Sequence, residues 1–299
     1  MTKFKSITLT IIVMALWGSI FPCVKLGYAA LSIASTAVPD IIMFAGVRFV
    51  LCGGVVTAIA LLKRDKLSIP KVKSFTAIVF IGLFSIVLHY ICTYIGLSVT
   101  DGSKTAIIKQ LGSLLYVCFA FLFIKSEKYS IYKILGAIIG FLGIVAINVS
   151  SVGVNFALGD FLIIGASICT VIAGILTKNI AGNNSPFWIT GISQFVGGAI
   201  LVILSLALGG KALIFNLEGT LIFTYICCAS TVGYLLWNYV LKTSDLSNLF
   251  IIKFVEPLFA CVFSAILLGE DFFKIQYLVA FVLISLGIVL GNKGEVKEK

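Results

Sequence analysis

Three Lys or Arg residues, Arg48, Lys109 and Lys253, and one deep carboxylate, Glu256, stand inside long apolar stretches of this chain. A charge at the centre of a bilayer costs about 3 kcal/mol on the insertion scale, so such residues face a protein interior, pair with one another or snorkel to a surface. Lys109 sits about five residues into its stretch, roughly 8 Å at 1.5 Å per residue. Its stem could reach an interface from there, or its compact ammonium could hold a carboxylate or phosphate. Glu256 follows Lys253 by three residues, which puts both on one helix face. Either the two neutralise each other, or the carboxylate is freed by a competing anionic substrate or takes a proton. Arg48 reads as a structural hydrogen-bond donor first and a cavity residue second.

A second group is aromatic and polar: Tyr90, Tyr94, Tyr234, Trp237 and Asn238, with His89, the only histidine in the chain. Spacings of three and four align them on one face of each helix. They form either an interfacial aromatic belt or the walls of a binding site. His89 reads as a hydrogen-bonded packing residue rather than a proton carrier. Pro22 and Pro257 each remove a backbone hydrogen bond inside a helix, leaving carbonyls that can line a cavity or a simple packing kink.

The elements that carry these residues follow from composition. Of 299 residues, 60% are hydrophobic and 11% charged, against roughly 25% charged in an ordinary soluble domain. Mean hydropathy is +1.16. A water-soluble fold is excluded, and the chain is expected to be all-α and integral to the membrane. A crossing takes about 20 apolar residues. The hydropathy breaks divide the sequence into ten spans, near 6–24, 40–62, 74–97, 104–124, 132–149, 158–178, 187–208, 218–241, 247–268 and 275–291. Lys3 and Lys5 before an apolar run resemble a signal peptide, yet no small-x-small site follows, so the run is expected to stay as the first helix.

The net charge of +10 is not a nucleic-acid signal, because the basic residues lie in the breaks. Even-numbered breaks and the two tails hold fifteen Lys and Arg, odd-numbered breaks four. The positive-inside rule then puts both termini in the cytoplasm. The eight cysteines fall in apolar stretches without a Cys-x-x-Cys pair and read as small hydrophobes. No zinc or iron site, no Gly-Lys-Ser/Thr phosphate loop and no acidic pair for a metal-dependent membrane transferase is visible. Neither a cofactor nor catalysis is expected.

A shift of 144 residues lays Tyr90 to Asn148 on Tyr234 to Asn292 without a gap. Tyr90 meets Tyr234, Asp101 meets Asp245, Ser103 meets Ser247, Lys109 meets Lys253 and Asn148 meets Asn292. The third to fifth spans therefore repeat as the eighth to tenth, and the unit is five helices long. An odd-numbered unit enters the membrane from the opposite side on its second pass. The expected architecture is two inverted five-helix repeats, residues 1–150 and 151–299, with a substrate site between them. Lys109 has Gly112 where Lys253 has Glu256, so it lacks an equivalent partner and is the better candidate for a substrate contact. Gly136-x-x-x-Gly140 and Gly287-x-x-x-Gly291 allow close helix contact, as packing devices or as a homodimer surface.

Several short motifs point to a family. Trp17-Gly18-Ser19-x-Phe21 running on to Lys25, Arg48, Glu256-Pro257, Gly269-Glu270 and Gly287, on a five-plus-five plan, resemble the EamA-type branch of the drug/metabolite transporter superfamily. That resemblance covers nearly the whole chain. It implies a multi-pass cell-membrane transporter for amino acids, amines, drugs, sugars or other metabolites, and it adds Trp17 to the candidate substrate contacts. Related phosphate-ester translocators hold substrate with basic residues on the fourth and ninth helices, where Lys109 and Lys253 stand here. Members often carry a proline in the fourth helix, and this chain has Gly112-Ser113 at that point.

The reading that results is a secondary transporter of a small organic metabolite, anionic or zwitterionic, working by alternating access in a lipid bilayer. Lys109, Lys253, Glu256, Tyr90, Tyr94, Tyr234, Trp237, Asn238 and Trp17 would contact substrate. The alternative within transport is an exporter of amines or cationic drugs held by Glu256 and the aromatics. The alternative outside transport is a membrane-embedded enzyme.

Overall fold

The structure, a computed structural model, describes residues 3–63, 69–99, 102–123, 128–147, 158–269 and 275–293. Every regular element among them is helical. The first half runs α1 (Lys3–Ala30), α2 (Val38–Leu62), α3 (Val72–Gly82), a π-helical turn (Leu83–Leu88), α4 (His89–Val99), α5 (Gly102–Phe123) and α6 (Ile131–Ile147). The second runs α7 (Leu158–Ala181), α8 (Pro186–Ala207), α9 (Leu217–Thr243), α10 (Leu246–Ile252), a 3-10 turn (Lys253–Val255), α11 (Glu256–Leu268) and α12 (Ile275–Lys293).

Local chemistry sets the boundaries. Pro39 and Pro186 open α2 and α8, where a missing N–H costs nothing. Asn216 caps α9 by accepting from the Gly219 amide at 2.6 Å, satisfying a donor the helix leaves over. Gly269 ends α11 at φ 68°, a left-handed conformation that glycine adopts without penalty.

Among the described residues seven helical runs are long and apolar enough to cross a bilayer: α1, α2, α3 through α4, α7, α8, α9, and α10 through α11. Three of the ten expected spans fall short of that measure. Among the described residues the apolar part of α5 is Ile108–Phe119, and α6 and α12 are apolar over Ile131–Ala146 and Ile275–Gly291. At about 1.5 Å per residue those stretches do not reach the ~30 Å of a hydrocarbon core.

The two ends of the bundle differ. At one end Lys178 Nζ donates to the Leu241 carbonyl at 2.9 Å, Lys242 Nζ donates to the Asn184 carbonyl at 3.3 Å, and Lys133 pairs with Asp245 at 3.4 Å. Ser6 bonds Ser244 there as well, at 2.6 Å. At the other end Asn216 Nδ2 donates to the Ala30 carbonyl at 2.7 Å, and the Lys211 amide donates to Asp40 at 2.8 Å. The lysine-bearing breaks after α7 and α9 thus share an end with the start of α1.

Helix pairing is reciprocal between the halves. α2 packs along α8 and α6 along α12, while α1 meets α9 and α11 as α7 meets α4 and α5. Glycines let the paired backbones touch. A Cβ on Gly46 would lie 2.8 Å from the Val202 amide nitrogen, and one on Gly198 2.5 Å from that of Val50. Gly136 and Gly287 each approach the other's carbonyl so closely that an added Cβ would sit at 2.5 Å. With no hydrophobic drive between helices in lipid, such close packing supplies the association. The two Gly-x-x-x-Gly stripes therefore face each other inside one chain. The short α10 is buried along its whole length, with Phe250 stacked on Tyr116 at 4.3 Å and 14°. This apolar plug lies toward the lysine-bearing end.

Candidate functional site

The expected site residues come from six elements: α1, α4, α5, α9, the 3-10 turn and α11. Trp17 lies midway along α1. Its indole meets Tyr234 at 5.3 Å and Trp237 at 5.4 Å, both on α9. Tyr234 continues to Phe49 of α2 at 6.1 Å, Phe49 to Tyr90 of α4 at 5.0 Å, and Tyr90 to Tyr94 at 5.5 Å. Trp237, Trp17, Tyr234, Phe49, Tyr90 and Tyr94 therefore form one unbroken chain of rings across four helices. The edge-on and tilted geometries suit the ring quadrupoles. Of the expected set Asn238 alone turns aside: its Nδ2 donates to Thr190 Oγ1 on α8 at 2.8 Å in a buried position.

Arg48 is buried against this wall. Its Nη2 donates to the Tyr90 hydroxyl at 2.9 Å and its guanidinium lies 4.4 Å from the Phe49 ring centroid. The π turn Leu83–Leu88 immediately precedes His89 and Tyr90, and such widened turns gather at functional sites. His89 Nδ1 lies 3.1 Å from the Ala166 carbonyl and 3.1 Å from Thr170 Oγ1. It ties α4 to α7.

The two lysines reach α1 at successive turns. Lys253 Nζ lies 5.9 Å from the Trp17 ring and 5.5 Å from that of Phe250, and Lys109 Nζ lies 5.4 Å from the Phe21 ring. Trp17 and Phe21 are one helical turn apart, about 6 Å along the axis. Both lysines are half-buried, within electrostatic reach of each other and of Glu256. Glu256 is 8% exposed and its Oε2 has no hydrogen-bond partner. No ion pair joins it to Lys253 among the described residues. The local cause is Pro257. Lacking an N–H, it leaves the Lys253 carbonyl without its ordinary helical donor, and the Glu256 amide takes that carbonyl in a 3-10 bond. The tightened turn leaves the Lys253 ammonium over Trp17 and the carboxylate unpaired.

On α5 the corresponding backbone stays α-helical, and α7 supports it from outside. Ser167 Oγ reaches the carbonyls of Ile108 at 3.0 Å and Lys109 at 3.1 Å. Of the repeat-matched residues, Asp101, Asn148 and the side chains of Ser103 and Asn292 lie outside the described residues, as does Glu270. Phe21 and Phe49 were not singled out as site residues from the sequence. Phe21 is one turn from Trp17 and Phe49 is next to Arg48, and those positions were the available signal.

The family model for EamA-like transporters matches this chain twice, over residues 4–149 and 157–292. The chain belongs to the EamA-like transporter family. Two relatives along nearly its full length are named as transporters. One is an uncharacterized transporter, YvbV, of Bacillus subtilis (strain 168), 22% identical over 99% of this chain and 94% of the relative. Another is an uncharacterized transporter of Archaeoglobus fulgidus, 24% identical over 97% of this chain and 98% of the relative. A WAT1-related chloroplast protein of Arabidopsis thaliana is 25% identical over 54% of this chain and 41% of its own. A solved crystal structure superposes over all of both chains with a TM-score of 0.80 at 16% identity, a likeness of fold. Family membership and the apolar helices together make this EamA-like chain a multi-pass membrane transporter.

Proposed function

We propose that this family member carries a small anionic or zwitterionic metabolite across the cell membrane by alternating access between two inverted five-helix halves, with both termini cytoplasmic. The observation that carries the reading is the convergence of Lys109 and Lys253, from matched positions of the two halves, on adjacent rings of one helix. Two ammonium groups lie within electrostatic reach of the buried Glu256 carboxylate, and the Arg48 guanidinium lies within reach of Lys109. Such a crevice has an excess of positive charge, and in a low dielectric an anionic group balances it strongly. Trp17, Tyr90, Tyr94, Tyr234 and Trp237 would enclose the rest of the molecule, with Glu256 receiving an ammonium where the substrate has one. Asn238 would hold α9 to α8 behind the wall.

Three observations support the architecture. The family model matches once in each half, helix pairing is reciprocal between the halves, and the lysine-bearing breaks share one end of the bundle. On this reading α5, α6 and α12 also cross, making ten crossings. Exchange of the two halves' conformations would move the opening from one membrane face to the other.

The test is counterflow uptake in proteoliposomes against carboxylates, phosphate esters, neutral amino acids and amines, with wild type and Lys109→Gln compared. Exchange of anions or zwitterions that Lys109→Gln abolishes supports the reading. Exchange of amines that is indifferent to Lys109→Gln overturns it in favour of a cation exporter built on Glu256, whose unpaired Oε2 is the observation favouring that second reading.

A further inference from the structure

Gln194 is fully buried in the middle of α8, and neither its Nε2 nor its Oε1 has a hydrogen-bond partner. A buried amide group left unpaired costs about 1–3 kcal/mol. Nearly every buried polar side chain finds a partner, so an amide orphaned at both ends calls for a reason.

Its position supplies one. Gln194 lies one turn from Thr190 and two turns from Leu201, on the same helix face. Thr190 bonds Asn238 of α9. Leu201 belongs to the buried apolar cluster that includes Phe49 and against which Tyr90, Tyr94 and Tyr234 pack. α8 and α9 are in contact and run antiparallel, so the Thr190–Asn238 bond fixes their register. One turn along α8 from that bond is Gln194, and one turn back along α9 is Tyr234. The carboxamide is therefore level with the ring that joins Trp17 to Phe49.

The packing of α2 on α8 sharpens the point. Gly46 approaches Gly198 and Gly53 approaches Gly191. Exchanging the helices, residue 46 for 191 and 53 for 198, reproduces both contacts. Under that exchange Gln194 takes the place of Phe49, which is buried, carries the Arg48 guanidinium and touches both Tyr90 and Tyr234. An apolar ring satisfies that position in one half. In the other half an amide brings one acceptor oxygen and two donor hydrogens to a wall that offers them nothing.

We infer that Gln194 is a substrate contact, and that the transported molecule carries, beside its anionic end, a neutral group that both donates and accepts hydrogen bonds, such as a carboxamide. This rests on the reading of the crevice as an anion-binding site. Lys109 and Lys253 hold the charge, and Gln194 reads the neutral group by a two-point hydrogen bond. A site with a polar group waiting for its partner discriminates strongly against analogues that lack it, because the site's own amide then stays unpaired.

The experiment measures the Tm of the purified full-length chain in detergent, for wild type, Gln194→Met and Lys109→Gln, alone and with millimolar succinamate or levulinate. These two carboxylates differ in an amide NH2 against a methyl. Gln194→Met alone is expected to raise the Tm, because an unpaired amide is replaced by an apolar chain of similar volume. Wild type is expected to be stabilised more by succinamate than by levulinate, by roughly tenfold in affinity, and Gln194→Met is expected to erase that difference. A lower Tm for Gln194→Met means that a partner such as an internal water satisfies the amide, and it overturns the proposal. Equal shifts by the two ligands in wild type, or none, overturn the substrate role. Lys109→Gln separates the two readings. If it leaves a succinamate shift intact the anion site fails, while the preference for succinamate over levulinate still reports on Gln194.

Discussion

α5 and the α10–α11 pair share the residues Ile-Ile-Lys, at 107–109 and 251–253, and form different helices. α5 runs unbroken for 22 residues. Its counterpart breaks into seven α-helical residues, a 3-10 turn at the lysine itself and thirteen more. Two substitutions account for the difference: Glu256-Pro257 stands where α5 has Gly112-Ser113. The proline deprives the Lys253 carbonyl of its donor, whereas on α5 that carbonyl's counterpart is reached by Ser167 from α7. Gly112 has a consequence of its own. A Cβ there would lie 2.8 Å from the Ser167 carbonyl, so α5 is held close to α7. α11 instead brings its carboxylate end beside Gly18 of α1. One half thus offers a lysine on a braced helix with no acidic neighbour on its own turn, and the other a lysine on a hinge beside a buried carboxylate.

The largest effect that tests this asymmetry is expected from Lys109→Gln. Loss of a charge-assisted contact with no local substitute should weaken exchange by about a hundredfold, read as the concentration for half-maximal counterflow. Lys253→Gln should cost about tenfold, since Glu256 already offsets part of that lysine's attraction for an anion. Adding Glu256→Gln to Lys253→Gln should then recover part of that loss. An additive double variant would show that Lys253 and Glu256 act independently and break the comparison. Gly112→Ala should destabilise the detergent-solubilised protein by about 1–3 kcal/mol through overpacking against α7, measured as a fall in Tm. Pro257→Ser, which installs the residue of the other half, should restore an α-helical bond to Lys253. It should raise the Tm slightly while slowing turnover a few-fold at unchanged affinity. A change in affinity instead would mean that the 3-10 turn positions Lys253 for binding rather than for movement.

The aromatic wall was largely legible before the fold was known. Tyr90, Tyr94, Tyr234 and Trp237 could be placed on helix faces because the spacing of three and four is a local property, and the 144-residue repeat matched Tyr90 with Tyr234. Trp17, which the family resemblance added, joins the same chain of rings. Asn238 belonged to the same face by spacing, yet its amide is held by Thr190 from another helix. α-helical spacing left two alternatives for Lys253 and Glu256, a mutual pair or a freed carboxylate; the turn between them is 3-10 rather than α-helical, and no ion pair joins them among the described residues. The glycines at 46, 53, 191 and 198 lie among 28 glycines in the chain, and nothing local distinguishes the four that let α2 and α8 touch.

By itself the sequence determined the membrane-embedded helical class, the placement of the apolar runs and of the lysine-rich breaks, and the family. Each of these is additive along the chain: hydropathy sums over a window, and charge accumulates where chain meets water. The tertiary structure decided which polar groups are paired. Whether Glu256, Gln194 and Asn238 find partners depends on how helices cross and in what register, and a register is a relation between segments more than a hundred residues apart. In a bilayer no solvent repairs a missed hydrogen bond, so those crossings also determine where this transporter has unpaired groups to offer a substrate.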